Sequence, residues 1–343
     1  MTLNSPYRFA VALFREDGTS LGTVAAVRDF DQVHQWTRFY FQRRGELPLE
    51  ENGSASVLPL WEDTLGEPYC RGYRVQISQP GARPVASDFP NTHFRDFAGA
   101  VASRLVAQKK LEDGEFYSYL VVAHPAPQEA AKSGGLSVTS ASPRLPAEDC
   151  TLESFLKRAK PSGAMDVDDM PVFVAQQVLD EMAAQTHAEE GTETGGVLIG
   201  KLWRDKDAAE IFAEITAQIP AEHTTGNNVK LTFTPQTWAA ADAALRLRGR
   251  GELFTGYWHS HPVRNWCKGK TCTAEAQKTC HLAKDFFSAD DEAVMRAAFP
   301  SAFSVAIVAN DTAFTDLTFS MFGNREGVIQ PRGFYVLEET SGT

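Results

Sequence analysis

Between Pro125 and Asp149 the chain reads PAPQEAAKSGGLSVTSASPRLPAED, rich in Pro, Ala, Ser and Gly and without a sustained apolar period. Such a run offers neither a helix face nor a strand face to a core, so it marks an exposed linker or loose flap and divides the chain. With 343 residues and 43% hydrophobic content there is material for two cores, since single cores usually stop growing at roughly 250 residues. The expected organisation is an α+β domain over residues 1–125, a linker or flap over 126–170, and a second domain over 171–343.

Before the break, YRFAVALFREDGTSLGTVAAVRD alternates apolar residues on both sides of Asp17-Gly18, a dipeptide that closes tight hairpins. The spacing of Phe30, Val33, Trp36 and Tyr40 predicts a helix over that hairpin. A strand in YCRGYRVQIS, a helix with Phe94, Phe97, Val101 and Leu105 on one face, and a strand in EFYSYLVVA follow; Asn91 or Thr92 is expected to cap that helix. After the break the pattern predicts a helix in VAQQVLDEMAAQTH and strands in GGVLIGKLW, IFAEITAQI and NVKLTFT. A helix with Pro235 in its first turn, stopped by Gly249, precedes a strand FTGYWHSH, a helix in ADDEAVMRAAF, and strands in SAFSVAIVAND and AFTDLTFSMF.

A formal charge of -11 argues against nucleic-acid or anionic-membrane partners, which require a basic footprint to displace counterions. No apolar run approaches the roughly 20 residues that span a bilayer, and no leader pattern opens the chain, so a soluble, cytoplasmic protein is expected. Five cysteines, Cys70, Cys150, Cys267, Cys272 and Cys280, are odd in number and unevenly spread. That is a poor disulfide framework but suits a reducing compartment with metal ligands.

Chemistry gathers in the second half. His259 and His261 lie two apart at the end of an apolar strand, so their side chains leave one face and converge. Neutral imidazoles suit zinc, and a catalytic zinc usually takes three protein ligands. Asp291 is the best third ligand, because Ser288-x-x-Asp291 opens a helix whose first turn projects back toward the preceding loop; the same four residues also spell a capping box. Glu193, just before a strand that starts with two glycines, supplies a candidate general base.

Together, Glu193-Thr-Gly-Gly-Val-Leu-x-Gly, His259-Ser-His261-Pro and Ser288-x-x-Asp291 resemble, in order and context, the JAMM zinc metalloproteases, also called the MPN or Jab1 family. The resemblance spans roughly 171–322. It implies a mixed α/β, cytidine-deaminase-like fold, a curved mixed sheet with flanking helices, holding Zn2+ through His259, His261 and Asp291. It further implies that Glu193 accepts a proton from the attacking water and passes it to the leaving amine, while Ser288 helps hold the oxyanion. Members mostly cut after the C-terminal glycine of ubiquitin or a ubiquitin-like protein, and the layout is similar to deubiquitinase-like proteins of bacterial ubiquitin-like conjugation systems, some of them antiphage. The partners implied are a ubiquitin-like protein or its conjugates, and the associated conjugating enzymes.

This chain departs from most members in one place. Residues 263–287 form an insertion between His-Ser-His-Pro and Ser288, where the family has a much shorter connection. Cys267, Cys272, Cys280 and His281 offer a candidate structural zinc set; the alternative is a loop of reduced thiols. Arg264, Lys268, Lys270, Lys278 and Lys284 against Glu275 and Asp285 leave the insertion basic, a feature that attracts an acidic partner or merely keeps the loop soluble. The N-terminal domain carries no recognisable chemistry, since His34, His93 and His124 are scattered, and is expected to serve recognition. Two other functions fit the sequence: an MPN-type scaffold that binds a ubiquitin-like partner without cleaving it, and a zinc peptidase that processes a small carrier protein.

Overall fold

The computed structural model describes residues 3–26, 30–50, 53–126, 144–189, 191–221, 233–266, 286–311 and 317–338. The chain divides into two units: Met1–Gln42 with Glu46–Leu145, and Arg43–Gly45 with Pro146–Thr343.

The first unit is α+β. Its strands are β1 (Leu3–Asn4), β2 (Tyr7–Arg15), β3 (Ser20–Ala25), β4 (Ser54–Trp61), β5 (Tyr69–Ser78), β6 (Val85–Pro90) and β7 (Tyr117–Pro125); its helices are α1 (Asp31–Arg43) and α2 (Arg95–Ala107). The sheet runs β1-β4-β5-β7-β2-β3, with β6 also on β5. The β2–β3 hairpin turns where the sequence places it, with Gly18 at φ +81°, a value the missing Cβ makes inexpensive. Phe9, Phe30, Tyr73, Phe89 and Phe94 form an aromatic core, neighbouring ring centroids 5.1–6.2 Å apart. One expectation fails: no side chain caps α2, because a 3-10 turn, Asn91–Phe94, leads directly into it and Phe94 takes the N-cap position. α1 buries more than its apolar stripe: His34, Thr37, Arg38 and Gln42 are also buried, which a period of apolar residues cannot reveal.

The second unit is a mixed α/β domain. Its strands are β8 (Ala147–Asp149), β9 (Ala159–Ser162), β10 (Val172–Ala175), β11 (Gly195–Asp205), β12 (Glu210–Pro220), β13 (Leu253–His261), β14 (Val305–Asn310), β15 (Thr318–Arg325), β16 (Val328–Arg332) and β17 (Phe334–Leu337). Its helices are α3 (Leu152–Leu156), α4 (Gln176–Ala188), α5 (Pro235–Arg248), α6 (Val263–Trp266) and α7 (Ala289–Ala298). The curved sheet has the order β16-β15-β14-β13-β11-β12-β10-β17-β9, with β8 beside the far half of β11. It mixes parallel and antiparallel pairs: β13 runs parallel to β14 and antiparallel to β11. One face packs Val197, Tyr257 and Ala306 against Ala241 of α5 and Met295 of α7. Pro235 opens the first turn of α5 and Gly249 ends it at φ +58°, as expected, and the Thr234 side chain also accepts from the Thr237 amide.

The break in the chain is shorter than its composition suggests. Residues 127–143 lie outside the described residues, but 147–162 join the second sheet as β8, α3 and β9. Phe155 anchors them in a cluster with Phe173, Phe212 and Leu337. Three short elements with one or two anchors each show no period, so they read as linker. The strand expected in NVKLTFT falls almost wholly outside the described residues, and β16 and β17 were not anticipated.

Candidate metal centre

The centre stands at the carboxyl end of β13. A Cβ on Gly256 would lie 1.7 Å from the Val305 carbonyl oxygen, and its φ of +150° suits glycine alone. Here the β11–β13 register shifts, between Leu198 and Ile199, a bulge of the kind that re-aims side chains beside sites. Beyond it Tyr257, His259 and His261 alternate onto one face, and Gly195 of β11 faces His259 across the ladder. The ladder continues past the strand end: the Ser260 amide donates to the Thr194 carbonyl at 2.7 Å, and the Thr194 amide to Ser260 Oγ at 3.0 Å. Continuing that register sets Glu193 opposite His261, on the same face, and both line one cleft.

α7 supplies the acid. Ser288 Oγ accepts from the Asp291 amide at 3.2 Å, and Asp291 Oδ2 accepts from the Ser288 amide at 2.8 Å. The capping box and the ligand reading are therefore not rivals. The box occupies one carboxylate oxygen and turns the other, Oδ1, to within 3.3 Å of His259 Nε2. His259 Nε2 and His261 Nε2 are 3.0 Å apart, and the three ligand atoms lie within 4.8 Å of one another. Bonds of about 2.0–2.1 Å to a tetrahedral zinc place neighbouring ligand atoms about 3.3 Å apart, so the donor set and its spacing fit that ion. Asp290 lines the cleft but stands outside the cluster.

The electrostatics follow from burial. His261 is 2% exposed; desolvation first, then the neighbouring His259, push its pKa down to about 3, against the opposing pull of Asp291 and Asn310. The ring is thereby kept neutral, the form that ligates metals. Burial alone would raise Asp291, but the hydrogen bond and charge of His259 and the hydrogen bonds from Ser288 outweigh it and bring the carboxyl down to about 2. The Tyr257 hydroxyl is pushed upward by burial and by the charges of Asp291 and Glu193, so it stays protonated.

Several supporting residues escaped the sequence reading. Tyr257 stacks on His259 at 5.6 Å and donates its hydroxyl to the Asp291 carbonyl at 3.1 Å, tying α7 to β13. Its position two before His259 on an alternating strand was the available signal. Asn310 of β14 is the register partner of His261. Trp266 and Phe286, the described residues on either side of the insertion, both lie against the His261 ring, at 5.2 and 4.5 Å. The insertion is thus rooted on a candidate metal ligand. Cys267, Cys272, Cys280 and His281 lie outside the described residues; Cys70 is buried, and burial raises its thiol to about 12, leaving it inert.

The cleft measures about 470 Å³. Its lining combines polar groups, Glu193, His261, Ser288, Asp290 and Asp291, with apolar ones that include Phe233, Trp238, Trp266, Phe286 and Val294.

Residues 175–265 match a family model described as prokaryotic homologs of the JAB domain. The matched span contains Glu193, His259 and His261 and ends before Ser288, and it supports an MPN-type domain in this part of the chain. None of the curated proteins compared with the chain matches it. Among solved structures, the chain is similar to the solution structure of protein DSY2949 from Desulfitobacterium hafniense, at 17% identity over 50% of this chain and 95% of that one, with a TM-score of 0.29. A likeness that low carries no argument. No helix among the described residues is long and apolar enough to cross a membrane.

Proposed function

We propose that the second unit is a zinc-dependent peptidase that cuts after the C-terminal glycine of a ubiquitin-like protein, releasing it from a conjugate or a precursor. One observation carries the reading: two imidazoles and a carboxylate oxygen converge within 4.8 Å, with Glu193 set beside them by strand register. Zinc held by His259, His261 and Asp291 would supply Lewis acidity, lowering the pKa of a water and polarising the scissile carbonyl. Glu193 removes the proton of the attacking water and hands it to the leaving amine. The Ser288 hydroxyl accepts from the Asp291 amide and keeps its own proton to donate to the oxyanion. The mixed lining of the cleft suits such a tail, polar groups for its main chain and apolar side chains for its larger residues. The first unit, separate in its core, serves as the recognition module for that protein or for its conjugating enzymes.

The test pairs zinc stoichiometry with cleavage of ubiquitin-like Gly-Gly fusions and conjugates, on the native chain and on Glu193→Gln. Cleavage by the native chain, lost in Glu193→Gln with zinc retained, supports the peptidase. Binding of the tail without cleavage would move the function to an MPN-type scaffold. Two zincs per chain would assign the second to the Cys267, Cys272, Cys280 and His281 set.

A further inference from the structure

Glu193 stands in the short connection between α4 and β11, after Gly191 at φ +82° and two residues before the strand begins at Gly195. A general base must hold its carboxylate to within a fraction of an ångström, because a misplacement of about 1 Å costs roughly 10²-fold in rate.

The restraint comes from behind the sheet. Alternation turns Glu193 to the metal face and Thr194 to the opposite one, where α4 lies. There Gln185 Nε2 donates to Thr194 Oγ1 at 2.8 Å and to the Gly195 carbonyl at 3.2 Å. From the other side, the 0% exposed Ser260 accepts from the Thr194 amide through Oγ and donates its own amide to the Thr194 carbonyl. Thr194 is thus held by amide, carbonyl and hydroxyl at once, and the two residues that hold it come from different elements. One of them, Ser260, sits between the two histidines, so the base is gauged against the strand that carries them.

We propose that Gln185 is a positioning residue: through Thr194 it fixes the carboxylate of Glu193 against the His259–His261 strand, without touching substrate or metal. The proposal rests on the peptidase reading of Glu193. It accounts for a polar side chain of α4 reaching the sheet beside the buried Val178, Leu179, Met182 and Thr186. It also separates two jobs, since the clamp touches neither ligand histidine through its ring nor Asp291.

The experiment uses the full chain loaded with zinc and four variants. Gln185→Met keeps length and stem but lacks the amide; Thr194→Val keeps the branch but lacks the hydroxyl; the double variant combines them; Thr194→Ser restores the acceptor. Turnover of a Gly-Gly fusion and amide hydrogen exchange at Thr194 are measured together. The expected result is a kcat lowered roughly 10–100-fold in Gln185→Met, with KM and zinc content unchanged. The double variant should be no worse than Gln185→Met, Thr194→Ser should match the native chain, and Thr194 exchange should be faster in Gln185→Met. An unchanged kcat, additive losses in the double variant, or loss of zinc would each overturn the proposal. An unchanged exchange rate at Thr194 in Gln185→Met would refute the clamp alone, whereas a native chain that cleaves no fusion would refute the peptidase reading beneath it.

Discussion

Ser288 does two things that substitution can separate. Its hydroxyl caps α7, and its main-chain amide orients Asp291. Replacing an N-cap serine by alanine typically costs about 1 kcal/mol within a range of roughly 0.5–2, and by glycine only a few tenths. The bond from the Asp291 amide to Ser288 Oγ is 3.2 Å, long for its class, so the lower end, about 0.5 kcal/mol for Ser288→Ala, is expected. The 2.8 Å bond that aims the Asp291 carboxylate comes from the backbone and survives either change. Loss of an oxyanion donor, by contrast, lowers kcat about 10²–10³-fold, or roughly 2.7–4 kcal/mol of transition-state stabilisation. Ser288→Gly should therefore keep fold and zinc, by urea unfolding and metal analysis, while turnover collapses. Near-native turnover in Ser288→Gly would remove the hydroxyl from the chemistry. Loss of zinc would mean that the hydroxyl, not the amide, holds Asp291 in place.

Three further outcomes are expected. Gly256→Ala should destabilise the second unit by about 3 kcal/mol or more, because the added Cβ meets the Val305 carbonyl and the backbone is strained; a urea midpoint within error of the native one would contradict this. The metal-free chain should weaken as pH falls below 6.5: His261 stays neutral in the fold down to about 3 while the unfolded chain takes up a proton, so its share of stability, present at neutral pH, is lost at about 1.4 kcal/mol per pH unit. His261→Gln should flatten that slope in pH-dependent unfolding, and an unaltered slope would exclude His261 as its source. Tyr257→Phe removes the hydroxyl that reaches the Asp291 carbonyl, and zinc affinity, by competition with a chromogenic chelator, should fall about 10–100-fold; unchanged affinity would show that the tie is dispensable.

The metal face was legible because each part carries a local rule. Alternation puts His259 and His261 on one side of β13, and Ser288-x-x-Asp291 fixes a helix start whatever the surrounding fold. Strand register, which sets Glu193 opposite His261, is a pairing between segments far apart in sequence, so only the order of motifs hinted at it. Tyr257 and Gln185 were hidden for the same reason: Tyr257 acts through Asp291, 34 residues on, and Gln185 through Thr194, 9 residues on, whose amide is tied to Ser260 on a distant strand. The short elements from 147 to 162 read as linker because elements of three to five residues are too brief to show a period. The buried polar face of α1 was invisible because apolar spacing records only what a helix hides from water by being greasy.

The reciprocal cap on α7 makes helix initiation and ligand presentation a single equilibrium. Met295 is the fully buried residue of α7, so its first turn depends on the Ser288–Asp291 box and on polar contacts such as the Tyr257 hydroxyl on the Asp291 carbonyl. Any ion that binds the ordered triad and not the frayed one draws the helix closed by mass action, by about 2.7 kcal/mol at a hundredfold excess over its dissociation constant. Removing that ion should therefore register first as lost amide protection in residues 289–292, before the sheet loosens. The wall of the cleft formed by Ala293, Val294 and Ala297 would slacken with it, making the shape of the binding groove a function of metal supply.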